Sequence, residues 1–332
     1  MDRITIRDVA LRAGVSRQTV SRAINNNPGI DPETRRRVLA VARELGYRPS
    51  AVARGLKTKR TASLGLVVPD IANPFFAEVV RGASEVAWAQ DYSVLLCNTD
   101  ERPEREWATL HMLEAHRVDG LLLVSSRLSD EQLREVAEAY PPLVIVNRRL
   151  SARPGLGCVV VNEERAAEAA VAHLISRGRR RIGFLGGSAE THSGRERRHG
   201  YLHALAAAGL QISAAWDRPC PPTVEGGRAA ALDLLARHPG LDALLAYNDL
   251  VAVGAIQACE TLGRPVPASL AVVGWDDIVF SAHLSPPLTT MRMPKERLGE
   301  VAMTLLFDLM ADPSQARDPI ALEAQLVVRG TT

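Results

Sequence analysis

The feature that most constrains the fold of this chain is an alternation, from residue 63 onwards, of short apolar runs with longer amphipathic stretches. The apolar runs are Leu64–Val68, Val94–Cys97, Gly120–Val124, Leu143–Val146, Cys158–Val161, Ile182–Leu185, Ala243–Ala246 and Leu270–Val273. Because they are apolar almost throughout, they predict parallel strands that helices cover on both faces. Eight such runs exceed one sheet of ordinary size. The sequence therefore predicts an α/β core with two lobes, each built on a doubly wound parallel sheet.

The first 48 residues predict a separate, small all-α domain. Thr5 and Asp8 have the spacing of a capping box for a helix that starts near Ile6. Gly14 then allows a tight turn, since glycine adopts the left-handed conformation at little cost. Ser16 can cap a second helix after that turn.

The exposed face of this second predicted helix is polar and cationic. It carries Arg17, Gln18, Thr19, Ser21, Arg22 and Asn25. Two short helices, a glycine turn and such a face are typical of a helix-turn-helix; a helical hairpin with a solvated face is the alternative. Asp31 followed by Pro32 signals a third helix that completes the domain.

The charge of the chain is unevenly distributed. Residues 1–60 contain fourteen Lys and Arg against five Asp and Glu, an excess of nine positive charges. Since the whole chain has a net charge of +2, the other 272 residues carry seven net negative charges. A basic head on an acidic body indicates a polyanionic partner for the head.

Residues 49–61 predict a basic linker with one short helix. Val52 and Leu56 are spaced i, i+4 among Arg and Lys residues. Because so short a helix is marginal alone, we expect it to fold against a partner and to press Leu56 into DNA.

Cysteine and apolar patterns exclude several other classes of protein. The four cysteines lie dozens of residues apart without metal-ligand spacing, which predicts free thiols rather than a zinc site or disulfides. We find neither an export signal nor a run of ~18 apolar residues that could span a membrane. These observations predict a cytoplasmic protein with no metal and no cofactor.

Polar and aromatic residues follow the predicted strands at the places where open α/β sheets bind ligands. They are Asn73, Phe75, Phe76, Asn147, Arg148, Arg197, Asn248 and Asp276. Each has an ordinary alternative, because a phenylalanine can be core and an Asn or Asp after a strand often caps the next helix. Together they favour a site for a polyhydroxylated ring, whose apolar face stacks and whose hydroxyls hydrogen-bond.

Catalytic motifs do not accompany these residues. Asp276 and Asp277 are adjacent, so their side chains should diverge and make a poor acid–base pair. The histidines all lie beyond residue 100 without a zinc-protease or triad context, and no phosphate-binding glycine motif occurs. The pattern favours a binding protein over an enzyme.

Several motifs resemble the LacI/GalR family of bacterial transcriptional regulators: DVALRAGVSRQTVSRAIN, ETRRRVLAVARELGYRPS, AVARGL, and PPLTT at Pro286–Thr290. The resemblance covers the chain from about residue 4 to its end, and the core is also similar to ribose-type periplasmic sugar-binding proteins. It implies a helix-turn-helix domain (1–48), a hinge helix (49–61) and an effector-binding core (62–332). The N-lobe would comprise 62–156 with 293–320, and the C-lobe 157–290 with 321–332.

The resemblance also implies roles for the head residues. Arg17, Gln18 and Arg22 would read base edges in the major groove of DNA. Leu56, with Ala53 in the same hinge, would wedge into the minor groove. Phosphate contacts and register would come from Ser16, Thr19, Ser21 and Asn25, and Thr5 is also expected to contact DNA.

In the core, the family resemblance implies an effector cleft. Phe75 and Phe76 would stack on the ligand, and the polar residues that follow the strands would hydrogen-bond it. Pro222 stands where relatives often carry an aromatic residue that closes the cleft, so a two-sided ring sandwich is not expected. A pentose or hexose is favoured, with a nucleoside or purine as the alternative.

The expected function is repression of transcription by a homodimer that binds a pseudo-palindromic operator. The absence of an appended leucine heptad favours a dimer over a tetramer. One rival hypothesis is a solute-binding module whose head docks to protein; salt-dependent retention on DNA would distinguish the regulator from it. The other is a sugar-converting enzyme.

Overall fold

The computed structural model describes residues 4–47, 60–140 and 142–332. The chain forms two compact units, Met1–Thr61 and Ala62–Thr332. The predicted hinge residues Ala53 and Leu56 lie outside the described residues.

The first unit contains the three predicted helices. They are α1 (Ile6–Ala13), α2 (Arg17–Ile24) and α3 (Pro32–Glu44). Gly14 ends α1 in the left-handed conformation with φ of 66°, as the turn between α1 and α2 requires.

Local capping and a small apolar centre explain why this segment folds. The Ser16 hydroxyl accepts the backbone N–H of Thr19 at 3.1 Å, and the carboxylate of Asp8 accepts that of Thr5 at 2.8 Å. These bonds satisfy polar groups at helix starts that the helices themselves leave unpaired. The helices then bury one shared cluster that includes Val9, Val20 and Val38.

The second unit alternates strands and helices as predicted. The strands are β1 (Ser63–Val68), β2 (Ser93–Asn98), β3 (Gly120–Val124), β4 (Leu143–Val146), β5 (Leu156–Val161), β6 (Ile182–Gly186), β7 (Asp217–Pro219), β8 (Ala243–Ala246), β9 (Ala271–Asp276), β10 (Thr289–Arg292), β11 (Ile320–Leu322) and β12 (Gln325–Val327). The helices are α4 (Pro74–Ala89), α5 (Pro103–Ala115), α6 (Asp130–Ala139), α7 (Glu163–Ser176), α8 (His192–Ala207), α9 (Val224–Arg237), α10 (Asp249–Thr261) and α11 (Lys295–Ala311). Ala214–Trp216 and Val279–His283 are short 3-10 helices.

Two six-stranded sheets organise this unit and confirm the predicted fold class. The strand orders are β11-β5-β4-β3-β1-β2 in the N-lobe and β12-β10-β9-β8-β6-β7 in the C-lobe. All described pairings are parallel except that of β10 with β12. In each sheet the order reverses beside the first strand of the lobe, which opens a crevice at the carboxyl ends of the strands.

The predicted break between the lobes at residues 151–157 is wrong. The strand β5 is buried throughout and pairs in parallel with β4, with Leu143 opposite Leu156. The chain first leaves the N-lobe sheet after Val161. Pro154 and Gly155 lie in the connection from β4 to β5, which contains no helix. A connection without a helix resembles an interdomain linker in sequence, which explains the wrong prediction.

After β10 the chain returns to the N-lobe and stays in its sheet to Leu322, two residues past the predicted limit of 320. The helix α11 packs against α4 and covers β3, β4 and β5, and β11 extends the same sheet beyond β5. The helices α4 and α11 approach closely, since a Cβ on Gly82 would lie 2.1 Å from the carbonyl oxygen of Glu296. No helix among the described residues is long and apolar enough to span a bilayer.

Candidate functional site

A small cavity lies between the lobes, at the carboxyl ends of their strands. Seven of the eight predicted effector residues line it: Asn73, Phe75, Phe76, Asn147, Arg197, Asn248 and Asp276. The other lining residues are Glu101, Ser125, Arg127, Ser193, Pro222 and Tyr247.

Two of the lining asparagines also start helices. Asn73 caps α4, and its side-chain oxygen accepts the N–H of Phe75 at 3.0 Å. Asn248 caps α10 in the same way, and its amide donates to the carbonyl oxygen of Pro222 at 3.1 Å. The structural and the binding interpretations of these residues are therefore compatible, since capping fixes each side chain at the cavity wall.

Asn147 is held in an uncommon conformation at the end of β4. Its φ of 58° is left-handed, which asparagine tolerates better than most residues. Its amide donates to the Ser125 hydroxyl at 3.1 Å. Within the part of the chain that the structure describes, its buried side-chain oxygen has no hydrogen-bond partner. A buried acceptor without a donor costs about 1–3 kcal/mol, so this oxygen is suited to a donor supplied by a ligand.

Arg197 is a fixed cation in the wall of the cavity. Its guanidinium donates to both carboxylate oxygens of Glu163, at 2.8 and 3.0 Å, and to the carbonyl oxygen of Tyr247. It also lies 4.7 Å from the ring centroid of Tyr247 and 4.5 Å from that of Trp275. Burial acts to lower the pKa of Arg197, but the Glu163 carboxylate outweighs it and raises that pKa. The arginine is therefore charged and immobile.

Asp276 and Asp277 diverge, as expected from their adjacency. Asp276 lines the cavity with φ of 111°, a strained conformation for a residue with a Cβ, and such strain is found at binding sites. Burial raises the pKa of Asp276 well above its usual range, although Arg197 acts to lower it. Asp277 accepts hydrogen bonds from Arg292 at 2.6 Å and Arg329 at 2.7 Å. The two carboxyl groups thus have separate partners.

The structure does not bring Arg148 to the cavity, which corrects the sequence prediction. Its guanidinium donates to Asp130, at the first turn of α6, with a distance of 2.7 Å. The strand β4 ends at Val146, and the left-handed φ of Asn147 turns the chain before Arg148, so the two side chains diverge. The role left to Arg148 is to tie β4 to α6.

Several lining residues were missed by the sequence analysis. Arg127 donates to both carboxylate oxygens of Glu101 and to the carbonyl oxygen of Ser125. Arg127 and Tyr247 both follow strands closely, so the strand-end rule could have found them. Glu101 lies in a loop, and Ser193 lies in the first turn of α8, where no local pattern marks them.

Phe75 and Phe76 are packed against each other and mostly buried. Their ring centroids are 5.1 Å apart and their planes are nearly perpendicular, at 87°. A flat ligand can therefore stack on one of them only, and it meets the edge of the other. The opposite wall of the cavity includes Pro222, where relatives were expected to have an aromatic residue.

Asp249 is fully buried beside the cavity residue Asn248. It accepts hydrogen bonds from Ser281 and Thr290, both at 2.5 Å, and from the N–H of Ile278 at 2.8 Å. Burial raises the pKa of Asp249 to about 6, although these donors oppose the shift. Asp249 therefore ties the start of α10 to the segment that follows β9.

We expect Asp249 to make stability fall as the pH rises from about 4 to 6. The folded state holds this proton more tightly than the unfolded chain does, so the free energy of unfolding decreases through that interval and levels off above it. Asp249→Asn removes this titrating group. Urea denaturation of the wild type and the variant should show a difference in the free energy of unfolding that changes with pH only between about 4 and 6. Parallel stability curves would contradict the assignment.

The second helix of the head unit presents a polar surface to solvent. Arg17, Gln18 and Arg22 are exposed, and in residues 4–47 neither arginine forms an ion pair. Ser16 also contacts the hydroxyl of Thr19 at 3.0 Å, and the exposed Asn25 donates to the carbonyl oxygen of Ser21 at 2.8 Å. Thr5 is exposed at the start of α1 and hydrogen-bonds Asp8. The polar and cationic groups of this face are thus accessible without rearrangement of α2.

Comparisons with known families match both units. Residues 5–50 match the family model described as bacterial regulatory proteins, lacI family. Residues 61–321 match the model described as periplasmic binding proteins and sugar binding domain of LacI family.

Individual relatives agree with these models over the full length. The HTH-type transcriptional repressor PurR of Photobacterium profundum is 36% identical over 330 residues, which is 98% of this chain and 97% of that protein. The solved lac repressor dimer bound to operator and the anti-inducer ONPF is 28% identical, with a TM-score of 0.90 and 99% of each chain covered. A complex of the transcriptional regulator CelR with cellobiose is 31% identical, with a TM-score of 0.75 and coverage of 99% and 100%.

Proposed function

Because the chain belongs to the lacI family of bacterial regulatory proteins, we propose that this DNA-binding transcriptional regulator is a homodimeric repressor controlled by a sugar in the cavity between its lobes. The proposal extends to this chain what the solved lac repressor dimer does with operator DNA. Two heads related by a two-fold axis fit a pseudo-palindromic operator.

The residue types on the exposed face of α2 support the proposal that this helix binds DNA. Arg17, Gln18 and Arg22 are of the types that form paired hydrogen bonds with guanine or adenine in the major groove. Ser16, Thr19, Ser21 and Asn25, together with Thr5, are suited to phosphate contacts that set the register. The roles of Ala53 and Leu56 in the minor groove stay predictions from the sequence.

The open side-chain oxygen of Asn147 carries the proposal of a sugar effector. This oxygen accepts and therefore needs a donor from the ligand. The guanidinium of Arg197, in the wall of the same cavity, donates and needs an acceptor, and Asp276 adds a carboxyl group. A sugar hydroxyl donates and accepts at once, so adjacent hydroxyls can satisfy groups of both kinds. This pairing of unlike polar groups around a small volume is what a polyhydroxylated ring requires.

The aromatic geometry favours a sugar over a purine. A purine is best held between two ring faces, but Phe75 and Phe76 are perpendicular to each other. The Tyr247 ring already has the Arg197 guanidinium over it. The face of a single phenylalanine ring is enough to stack on the apolar side of a sugar ring. The cellobiose complex of the related CelR gives further support for a carbohydrate.

We expect a pentose, a hexose or a short oligosaccharide to stabilise the core in a thermal-shift screen. A ligand at a hundred times its dissociation constant adds ~2.7 kcal/mol to the free energy of unfolding. Asn147→Ala should lose this response, while Asn98→Ala, in a half-buried strand residue that does not line the cavity, should keep it. Stabilisation by nucleobases or nucleosides alone would refute the sugar assignment.

The effector is proposed to be released unchanged, so the protein is not expected to be an enzyme. Asp277 is engaged by two arginines, and Glu101, the second carboxyl group among the described lining residues, is engaged by Arg127, so Asp276 has no free carboxyl partner there. Chromatography of the ligand after prolonged incubation with the protein should recover it intact; a converted product would favour the enzyme hypothesis instead.

Coupling between the cavity and the operator is reciprocal. If a sugar weakens operator binding by some factor, operator DNA must weaken sugar binding by the same factor. Titrations of the sugar with and without a bound operator measure both directions of this linkage.

A further inference from the structure

Four side chains outside the cavity lie together on two packed helices of the C-lobe. Glu164 and Glu168 are four residues apart on α7, and His199 and His203 are four residues apart on α8. Residues i and i+4 of a helix lie on one face. Each helix therefore contributes a matched pair of metal-ligand side chains to the same surface.

The two pairs face each other at short range. Nδ1 of His203 lies 2.5 Å from Oε1 of Glu168, and Nδ1 of His199 lies 3.3 Å from Oε1 of Glu164. Ligand atoms of Glu164, Glu168 and His203 all lie within 4.8 Å of one another. Ligand atoms around a tetrahedral Zn²⁺ are about 3.4 Å apart, given bonds of about 2.0–2.1 Å. The separations in this cluster, from 2.5 Å up to the 4.8 Å limit, bracket that spacing.

A glycine sets the separation of the two helices at this point. A Cβ on Gly200, which lies between the two histidines in sequence, would be 2.1 Å from the carbonyl oxygen of Glu164. The helix backbones are thus in direct contact, and a larger residue would force them apart. Because backbone packing fixes the four positions, little entropy is lost when the side chains gather around an ion.

We propose that Glu164, Glu168 and His203 bind a divalent transition metal ion, with Zn²⁺ as the best match, and that His199 helps to position the Glu164 carboxylate. Imidazole nitrogen and carboxylate oxygen are both ordinary Zn²⁺ ligands, and imidazole discriminates against Mg²⁺ and Ca²⁺. The side chains are between 34% and 75% exposed, so the ion can enter without a conformational change and water can complete its coordination.

A metal ion here cross-links α7 to α8 close to the effector cavity. Glu163 and Arg197, which form the buried ion pair in the cavity wall, lie on the same two helices within one turn of Glu164 and His199. The sequence predicts no metal site, because that prediction depends on spacing along the chain. The ligands come from helices about 35 residues apart in sequence, so only tertiary packing brings them together.

Calorimetric titration of the full chain with Zn²⁺, after removal of metal by EDTA, tests the site. We expect one Zn²⁺ per chain and a rise in Tm that EDTA reverses. His203→Ala and Glu168→Gln should each weaken Zn²⁺ binding at least ~10-fold. His116→Ala, which removes an exposed histidine at the end of α5, is the matched control and should leave binding unchanged.

Substitution with Co²⁺ identifies the ligands independently of affinity. A visible spectrum without thiolate charge-transfer bands, lost in His203→Ala, supports nitrogen and oxygen ligation. Thiolate bands would place the ion on a cysteine and overturn the proposal. It is overturned equally by a wild-type chain that shows no saturable Zn²⁺ binding in the micromolar range, or by unchanged binding in the His203 and Glu168 variants.

Discussion

Arg197→Met is expected to destabilise the core by about 3–5 kcal/mol, because it leaves the Glu163 carboxylate buried without its cation. Both side chains are almost fully buried, with exposed fractions of 5% for Arg197 and 1% for Glu163. The loss also removes the contacts of the guanidinium with the Tyr247 and Trp275 rings. Urea denaturation of the isolated variant measures the change in the free energy of unfolding.

Two further variants separate charge burial from general damage to α8. Glu163→Gln combined with Arg197→Met should recover part of the lost stability, because neither side chain then carries a charge. Arg198→Met, at the next position, removes a half-exposed arginine paired with Asp217 and should cost no more than about 1 kcal/mol. If the double variant were as unstable as the single one, the buried pair would not be the cause.

Neither Arg197 variant is expected to bind the effector with wild-type affinity. The double variant is the informative one, since it recovers part of the stability without restoring the cation in the cavity wall. Sugar binding by a folded double variant at wild-type affinity would remove Arg197 from the proposed binding residues.

Arg22→Ala is expected to weaken binding to the cognate operator by about 1–3 kcal/mol, or roughly 5–150-fold, and to relax the preference at one base pair. Arg22 is exposed on α2 and has no ion-pair partner in the head residues that the structure describes. Its whole donor set is therefore available to a base edge. Fluorescence anisotropy on an operator selected from random duplexes, and on its single-base-pair variants, measures both effects.

Arg43→Ala provides the charge-matched control for this experiment. Arg43 is exposed near the end of α3, outside the face of α2 that carries Arg17, Gln18 and Arg22. Its removal should change affinity similarly on all sequences or not at all, as a loss of general electrostatic attraction does. If Arg22→Ala behaved in the same uniform way, its role would be a phosphate contact rather than base reading.

Elements defined by neighbouring residues were predicted well from the sequence. The caps at Ser16 and Asp31 start helices where expected, because a cap is a bond between residues three positions apart. The eight apolar runs are all strands, since strands buried on both faces must be apolar at consecutive positions. β7, β10, β11 and β12 were missed because they are short, and β7, β11 and β12 are also partly exposed.

The cavity was partly predictable for a topological reason. Residues that follow parallel strands must collect at one edge of a sheet, so Asn73, Asn147 and Asn248 could be placed near a ligand. The same rule failed for Arg148, because it gives the position of a residue and not the direction of its side chain. It also missed Glu101, which lines the cavity from a loop and accepts hydrogen bonds from Arg127.

The sequence by itself determined the helical head, its cationic surface and the succession of strands and helices in the core, because these depend on interactions within a few residues. Only the tertiary structure decided that β5 belongs to the first sheet, that Glu163 holds Arg197 in the cavity wall, and that Glu168 meets His203. Each of these contacts joins elements that the crossovers between strands bring together. Their partners are selected by how helices pack on the two sheets, which no local pattern of residues encodes.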